Sequence, residues 1–173
     1  MKNKPIAQLF IDDANMFFAQ KNMGWFIDWR KISVYFSKQY SISQANYYTG
    51  LGADIAKRQS YFQRLEKSGY SVITKPLKKI FINKDKYILK ANVDVEIATD
   101  LIYFRSNFDI AILFSGDSDF EYVVKRLQKE GKSIIVCAQN RGLSRELRNC
   151  ADKVILLGTI RKKIELKKDL PPK

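Results

Sequence analysis

The sequence predicts an α/β fold: one domain built on a doubly wound, mostly parallel sheet flanked by helices, with a β-hairpin inserted in it. Three observations lead there. Strand-like apolar runs alternate with helical stretches along the chain, the pattern of successive βα units. Two of those runs, DIAILFS at 109–115 and SIIVCA at 133–138, are almost continuously apolar, as strands buried on both faces of a parallel sheet are. Acidic residues recur where a strand should hand over to a helix: Asp12 in LFIDDAN, Asp94 in KANVDVEIATD, and Asp117 with Asp119 in LFSGDSDF.

Residues 6–11 (IAQLFI) form the first strand, which ends on Asp12. Residues 14–24 and 28–40 read as helices, the second with Ile32, Tyr35, Phe36 and Tyr40 at spacings of three and four. Residues 43–49 (SQANYYT) suit a second strand, broken by Gly50 and Gly52; Asp54 opens a helix to about Ser68. Gly69 caps that helix and introduces the strand YSVIT. Residues 77–90 (LKKIFINKDKYILK) then interrupt the alternation, with apolar residues on both sides of Asn83-Lys84-Asp85, as in a hairpin. Val93, Ile97, Leu101 and Phe104 make the next helical stripe, and 109–115 the central strand. Phe120, Val123, Val124 and Leu127 face a further helix, capped by Gly131. SIIVCA, LSRELRNCA and KVILL complete the series as strand, helix and strand. The domain is expected to span 1–160, leaving 161–173 (RKKIELKKDLPPK) as a basic, flexible tail.

The chain has 173 residues, 46% apolar, enough for one core. It carries 31 Lys and Arg against 18 Asp and Glu, a formal charge of +13, which favours a polyanionic partner and above all nucleic acid. It has no histidine, which removes Ser-His-Asp and Cys-His nucleophiles, imidazole acid–base pairs and His-ligated metals together. Cys137 and Cys150 are too few for a zinc cage and read as small buried hydrophobes of a reducing compartment. The N-terminal apolar stretch is too short for a signal peptide, and no run approaches transmembrane length. A cytoplasmic location is expected.

The carboxyl ends of the strands in an open parallel sheet share one edge, and ligands bind in the crevice there. The fold therefore gathers Asp12, Asp94, Asp117 and Asp119 into one acidic pocket in an otherwise basic protein. Such a pocket suits Mg²⁺ or Mn²⁺, hard cations that prefer oxygen ligands. The competing reading of Asp117 and Asp119 is a helix cap and a first-turn acid; it accounts for one acid, not for recurrence at two further junctions. Asn15, three residues after Asp12, either orients a metal-bound water or phosphate oxygen or caps the first helix. Asp13 diverges from Asp12 in direction, and Asp100, about one and a half turns after Asp94, need not share its face. Around the hairpin, Lys78, Lys79, Lys84 and Lys90 are candidates for contacting the substrate backbone, with Phe81 and Tyr87 available to stack on unpaired bases or to pack on the core.

FIDDAN, KANVDVEIATDLI, AILFSGDSDF and LSRELRNCADKVILL, in that order, resemble the NYN domain of the PIN-like nuclease superfamily, and within it the bacterial LabA-like subgroup. The resemblance covers residues 6–157. It implies a Mg²⁺- or Mn²⁺-dependent ribonuclease. Matched by motif, its catalytic and metal-binding aspartates fall on Asp12, Asp94, Asp117 and Asp119, and its asparagine on Asn15. Two positions depart from the pattern. Asp13 stands where the family often has glycine, and the basic residue before VDV, Lys90, is separated from Asp94 by Ala91, Asn92 and Val93.

The chemistry so implied is in-line hydrolysis of an RNA phosphodiester, which asks no side chain for a general base. A haloacid-dehalogenase-like phosphatase would need an aspartate where Ala14 stands, and a receiver domain has no place for SGDSDF and the basic hairpin. The remaining alternative is an RNA- or protein-binding module on the same scaffold with weak or lost activity. Related folds often pair, so a homodimer is among the expected states.

Overall fold

A computed structural model describes residues 3–52, 55–83 and 86–167. Six strands form one parallel sheet in the order β3-β2-β1-β6-β7-β8. They are β1 (Ile6–Asp12), β2 (Ser41–Leu51), β3 (Tyr70–Pro76), β6 (Ile110–Phe114), β7 (Ser133–Ala138) and β8 (Lys153–Leu156). The hairpin strands β4 (Lys78–Asn83) and β5 (Lys86–Lys90) pair only with each other, antiparallel.

Alternation along β1 explains why helices cover both faces. Ala7, Leu9 and Ile11 point into one core, with Met16 of α1 (Asp13–Met23), Ile32 and Phe36 of α2 (Trp29–Ser37) and Leu65 of α3 (Ile55–Lys67). Phe10 points into the other, with Ile97 and Leu101 of α4 (Asp94–Tyr103), Val124 and Leu127 of α5 (Glu121–Lys129) and Leu147 of α6 (Arg145–Cys150). β1 and β6 lie side by side, and the chain winds outward from them in opposite directions. Their carboxyl ends are therefore the topological switch point of the sheet, where such folds open a crevice.

Several sequence expectations are corrected. Gly50 does not break β2 but lies within it, at a point where a Cβ would stand 2.7 Å from Leu77 Cδ2 and 3.0 Å from Ala91 Cβ. Glycine lets the base of the hairpin lie directly on the strand. Asp54, expected to open α3, lies outside the described residues, as do Lys84 and Asp85. SGDSDF leads first into a 3-10 turn, Ser118–Phe120, and only then into α5. Arg161 does not begin a loose tail: Arg161–Ile164 form α7, Ile164 is fully buried, and the Leu166 N–H donates to the Phe26 carbonyl at 2.8 Å. The apolar Ile160 and Ile164 hold these residues down despite the lysines between them. The helix ends at Gly69 and Gly131 agree with the sequence; both residues take positive φ, 86° and 77°, which a Cβ would disfavour.

Candidate metal centre

Asp94, Asp117 and Asp119 come together at the switch point. One carboxylate oxygen of each lies within 4.8 Å of the others. Asp94 is the first residue of α4, and its N–H donates to the Asn92 side chain at 2.9 Å. Just before it, Lys75 from the end of β3 bonds the Asn92 carbonyl and pairs with Glu96 at 2.7 Å, which fixes the entry to α4. Lys75 is thus a structural clasp. Asp117 caps the 3-10 turn, accepting from the Asp119 N–H at 3.1 Å. The capping reading and the clustering of the acids are therefore both correct for this residue.

Asp12 lies beneath these three rather than among them. It is 4% exposed; its carboxylate caps α1 by accepting from the Asn15 N–H at 3.0 Å and also accepts from Ser115 Oγ at 3.2 Å. Ser115, fully buried, accepts in turn from the Asp117 N–H, so a short chain of hydrogen bonds joins the floor to the rim. Burial pushes the Asp12 carboxyl up to about 6; the Asn15 and Ser115 bonds oppose the rise, while the charges of Asp94 and Asp117 add to it.

Asn15 is not the helix cap. Its Oδ1 accepts from the Gly116 N–H at 3.1 Å, tying α1 to the loop after β6, and its Nδ2 has no partner among the described residues. Gly116 was not singled out from sequence, although the SGDSD motif contains it. A Cβ on it would stand 1.9 Å from the Gly142 carbonyl oxygen, and its own carbonyl accepts from the Ser144 N–H at 2.8 Å. The acidic loop is clamped between α1 and residues 142–144.

Asp13 turns away, as adjacent residues must. It accepts from the Tyr47 and Thr49 hydroxyls and pairs with Arg58 at 2.8 Å. Tyr47 and Thr49 share one face of β2; strand alternation carries that signal, but the partner on α3 has no local one. Tyr48, on the opposite face, donates to Asp100 at 2.8 Å, so Asp100 serves as an anchor for β2 and stands outside the acidic trio.

Lys78 and Lys79 are exposed on β4. Lys84 and the side chain of Lys90 lie outside the described residues; Lys90 pairs with Lys78 by backbone register at the root of the hairpin.

The donor set is all oxygen, which suits Mg²⁺ or Mn²⁺ and not soft metals. Neither Asp117 nor Asp119 has a cationic partner among the described residues. In the metal-free protein the raised carboxyl of Asp12 has a stability signature. Its folded value lies above the ordinary 3.8, so its stabilising contribution is complete below about pH 4 and is lost as pH rises through about 6. At 1.36 kcal/mol per unit the loss is at most about 3 kcal/mol. Denaturant unfolding in EDTA should therefore show Asp12→Asn gaining on the wild type between pH 4 and 7. A gap that does not change with pH would refute the shift.

These features define a PIN-like α/β domain with a carboxylate centre at its switch point. The chain belongs to the NYN domain family, whose profile matches residues 7–158. It is similar to Low amplitude and bright protein LabA of Synechococcus elongatus, 38% identical over 161 residues, which cover 91% of this chain and 86% of that protein. It is also similar to an uncharacterized protein of Methanocaldococcus jannaschii, 36% identical over 87 residues, 47% of this chain and 36% of that one. Among solved structures it resembles a protein of unknown function from Vibrio parahaemolyticus, with a TM-score of 0.79 at 25% identity, covering 96% of this chain and 99% of the other. The family suggests nuclease action on nucleic acid. No helix among the described residues is long and apolar enough to cross a membrane.

Proposed function

We propose that this protein is a Mg²⁺- or Mn²⁺-dependent ribonuclease that hydrolyses RNA phosphodiester bonds in the cytoplasm. The convergence of Asp94, Asp117 and Asp119 over the buried Asp12, in a chain of charge +13, carries this reading. Asp94, Asp117 and Asp119 would hold the cation, with Asp12 ionising beneath it. When bound, the cation would polarise the phosphate and acidify an attacking water. The free Nδ2 of Asn15 is a donor for a phosphate oxygen at the edge of the centre. Asp12, with its carboxyl near 6, would be drawn toward its charged form by a cation above it.

The test is cleavage of labelled RNA across a titration of Mg²⁺ and of Mn²⁺, with EDTA as control. Cleavage that appears with either metal and stops with EDTA is expected. RNA that is bound but left intact at every metal concentration would sink the reading and favour a binding module, which the basic hairpin would serve equally well.

A further inference from the structure

The hairpin presents a face that the acidic centre leaves unexplained. Every residue of β4 is exposed, and Phe81 and Tyr87 are 67% and 47% exposed, so these rings do not pack on the core. They are register partners across the two strands, with ring centroids 6.0 Å apart, and Lys79 Nζ lies 4.8 Å from the Tyr87 ring centre on the same side. Adjacent pairs in a hairpin face opposite ways, so Ile80 and Ile88 occupy the reverse side. One side thus carries the aromatic pair with Lys79; the other carries Ile80, Ile88 and, by the same alternation, Lys78.

The root of the hairpin fixes where this face stands. The Leu77 N–H donates to the Leu51 carbonyl at 3.0 Å, and Leu77 and Ala91 lie against Gly50. Both contacts are at the carboxyl end of β2, the neighbour of β1, whose Asp12 pairs in register with Tyr48. From Lys90, the chain reaches Asp94 in four residues.

We infer that the Phe81–Tyr87–Lys79 face binds unpaired bases of single-stranded nucleic acid and leads the strand to the acidic centre. The inference rests on the nucleic-acid ligand proposed above, but not on cleavage. Aromatic faces hold bases of any sequence by stacking, and a duplex keeps its bases stacked on one another instead. The ligand must be anionic. Along residues 78–90 the sequence carries Lys78, Lys79, Lys84, Lys86 and Lys90 against Asp85 alone, so a second copy of the same arm would be repelled.

The test is fluorescence anisotropy of a short labelled oligouridylate, in EDTA so that no cleavage occurs. Phe81→Ala/Tyr87→Ala should weaken binding at least roughly tenfold while leaving the slope of log K against log salt unchanged. Lys79→Ala should lower that slope by about 0.7, since one single-strand phosphate contact is lost. Ile80→Thr/Ile88→Thr, on the reverse side, should bind as wild type does. Phe81→Leu/Tyr87→Leu, which keeps the hairpin apolar and strand-forming, should lose binding like the alanine pair. An alanine pair that binds as tightly as wild type, or that weakens a duplex of equal length as much as the single strand, overturns the inference. So does a loss confined to the isoleucine pair, which would place the strand on the reverse side of the hairpin. Single-strand binding that depends on the rings, in a protein that cleaves nothing with either metal, leaves this inference standing while the nuclease reading falls.

Discussion

Asp117→Asn is expected to abolish metal-dependent RNA cleavage and the stabilisation by Mn²⁺, while leaving the metal-free protein as stable as wild type or slightly more so. Asparagine caps about as well as aspartate, so the bond from the Asp119 N–H survives. What disappears is one negative charge from a group of three held within 4.8 Å, a charge that also raises the Asp12 carboxyl. In wild type, Mn²⁺ at a hundred times its dissociation constant should add about 2.7 kcal/mol, a rise in Tm of roughly 5–10 °C for a chain of this size. Positioning groups around a metal site already cost 10- to 100-fold when removed, and a direct ligand should cost at least about 100-fold in cleavage. Thermal scans with and without Mn²⁺, run beside the cleavage assay, decide the matter. If the mutant keeps both the full shift and full cleavage, Asp117 is a cap alone and the proposed centre is wrong at its most specific residue.

Gly116→Ala should do comparable damage without touching a carboxylate. The new Cβ would sit 1.9 Å from the Gly142 oxygen, 2.7 Å from its carbonyl carbon and 3.0 Å from Leu143 Cα. All three are backbone atoms, so no side chain can rotate away. The segment they belong to is itself held, by the bond from Ser144 N–H to the Gly116 carbonyl and by Arg148 on Asn140 Oδ1 at 2.9 Å. Overpacking of this kind costs about 1–3 kcal/mol or more. The strain should appear as a lower Tm and as a shift of Asp117 and Asp119 away from Asp94, and a displacement of about 1 Å can cost 100-fold in rate. Gly142→Ala is the matched control: its Cβ would meet only Gln139 Oε1 at 3.5 Å, and it should behave nearly as wild type. A Gly116→Ala protein that melts and cleaves like Gly142→Ala would show that the loop yields easily.

The architecture was legible because periodicity is a local property. The apolar runs at 110–114 and 133–138 could be buried only between two layers of helices, and Gly69 and Gly131 mark their helix ends by a backbone angle that other residues avoid. The tail was misread because composition outweighed pattern. Its lysines suggested solvent, while Ile160 and Ile164, four residues apart, are both buried.

By itself the sequence determined the α/β class, the edge of the sheet where acids would meet, and four acids at that edge, since each of Asp12, Asp94, Asp117 and Asp119 sits at a junction whose position follows from hydrophobic spacing; which three of them come together was decided by the tertiary structure. Only the tertiary structure decided the partners. Asp12 sank to the floor beneath Ser115 and Asn15, Asp13 went to Arg58 and Asp100 to Tyr48, and Gly116 met Gly142. Apart from the local bond between Asp12 and Asn15, these contacts join segments brought together by the pairing of β1 with β2 and β6, by that of β6 with β7, or by helices packed across them. Spacing along a chain says which face a side chain takes, but the atom it meets there belongs to another segment, and which segment that is follows from strand order and packing.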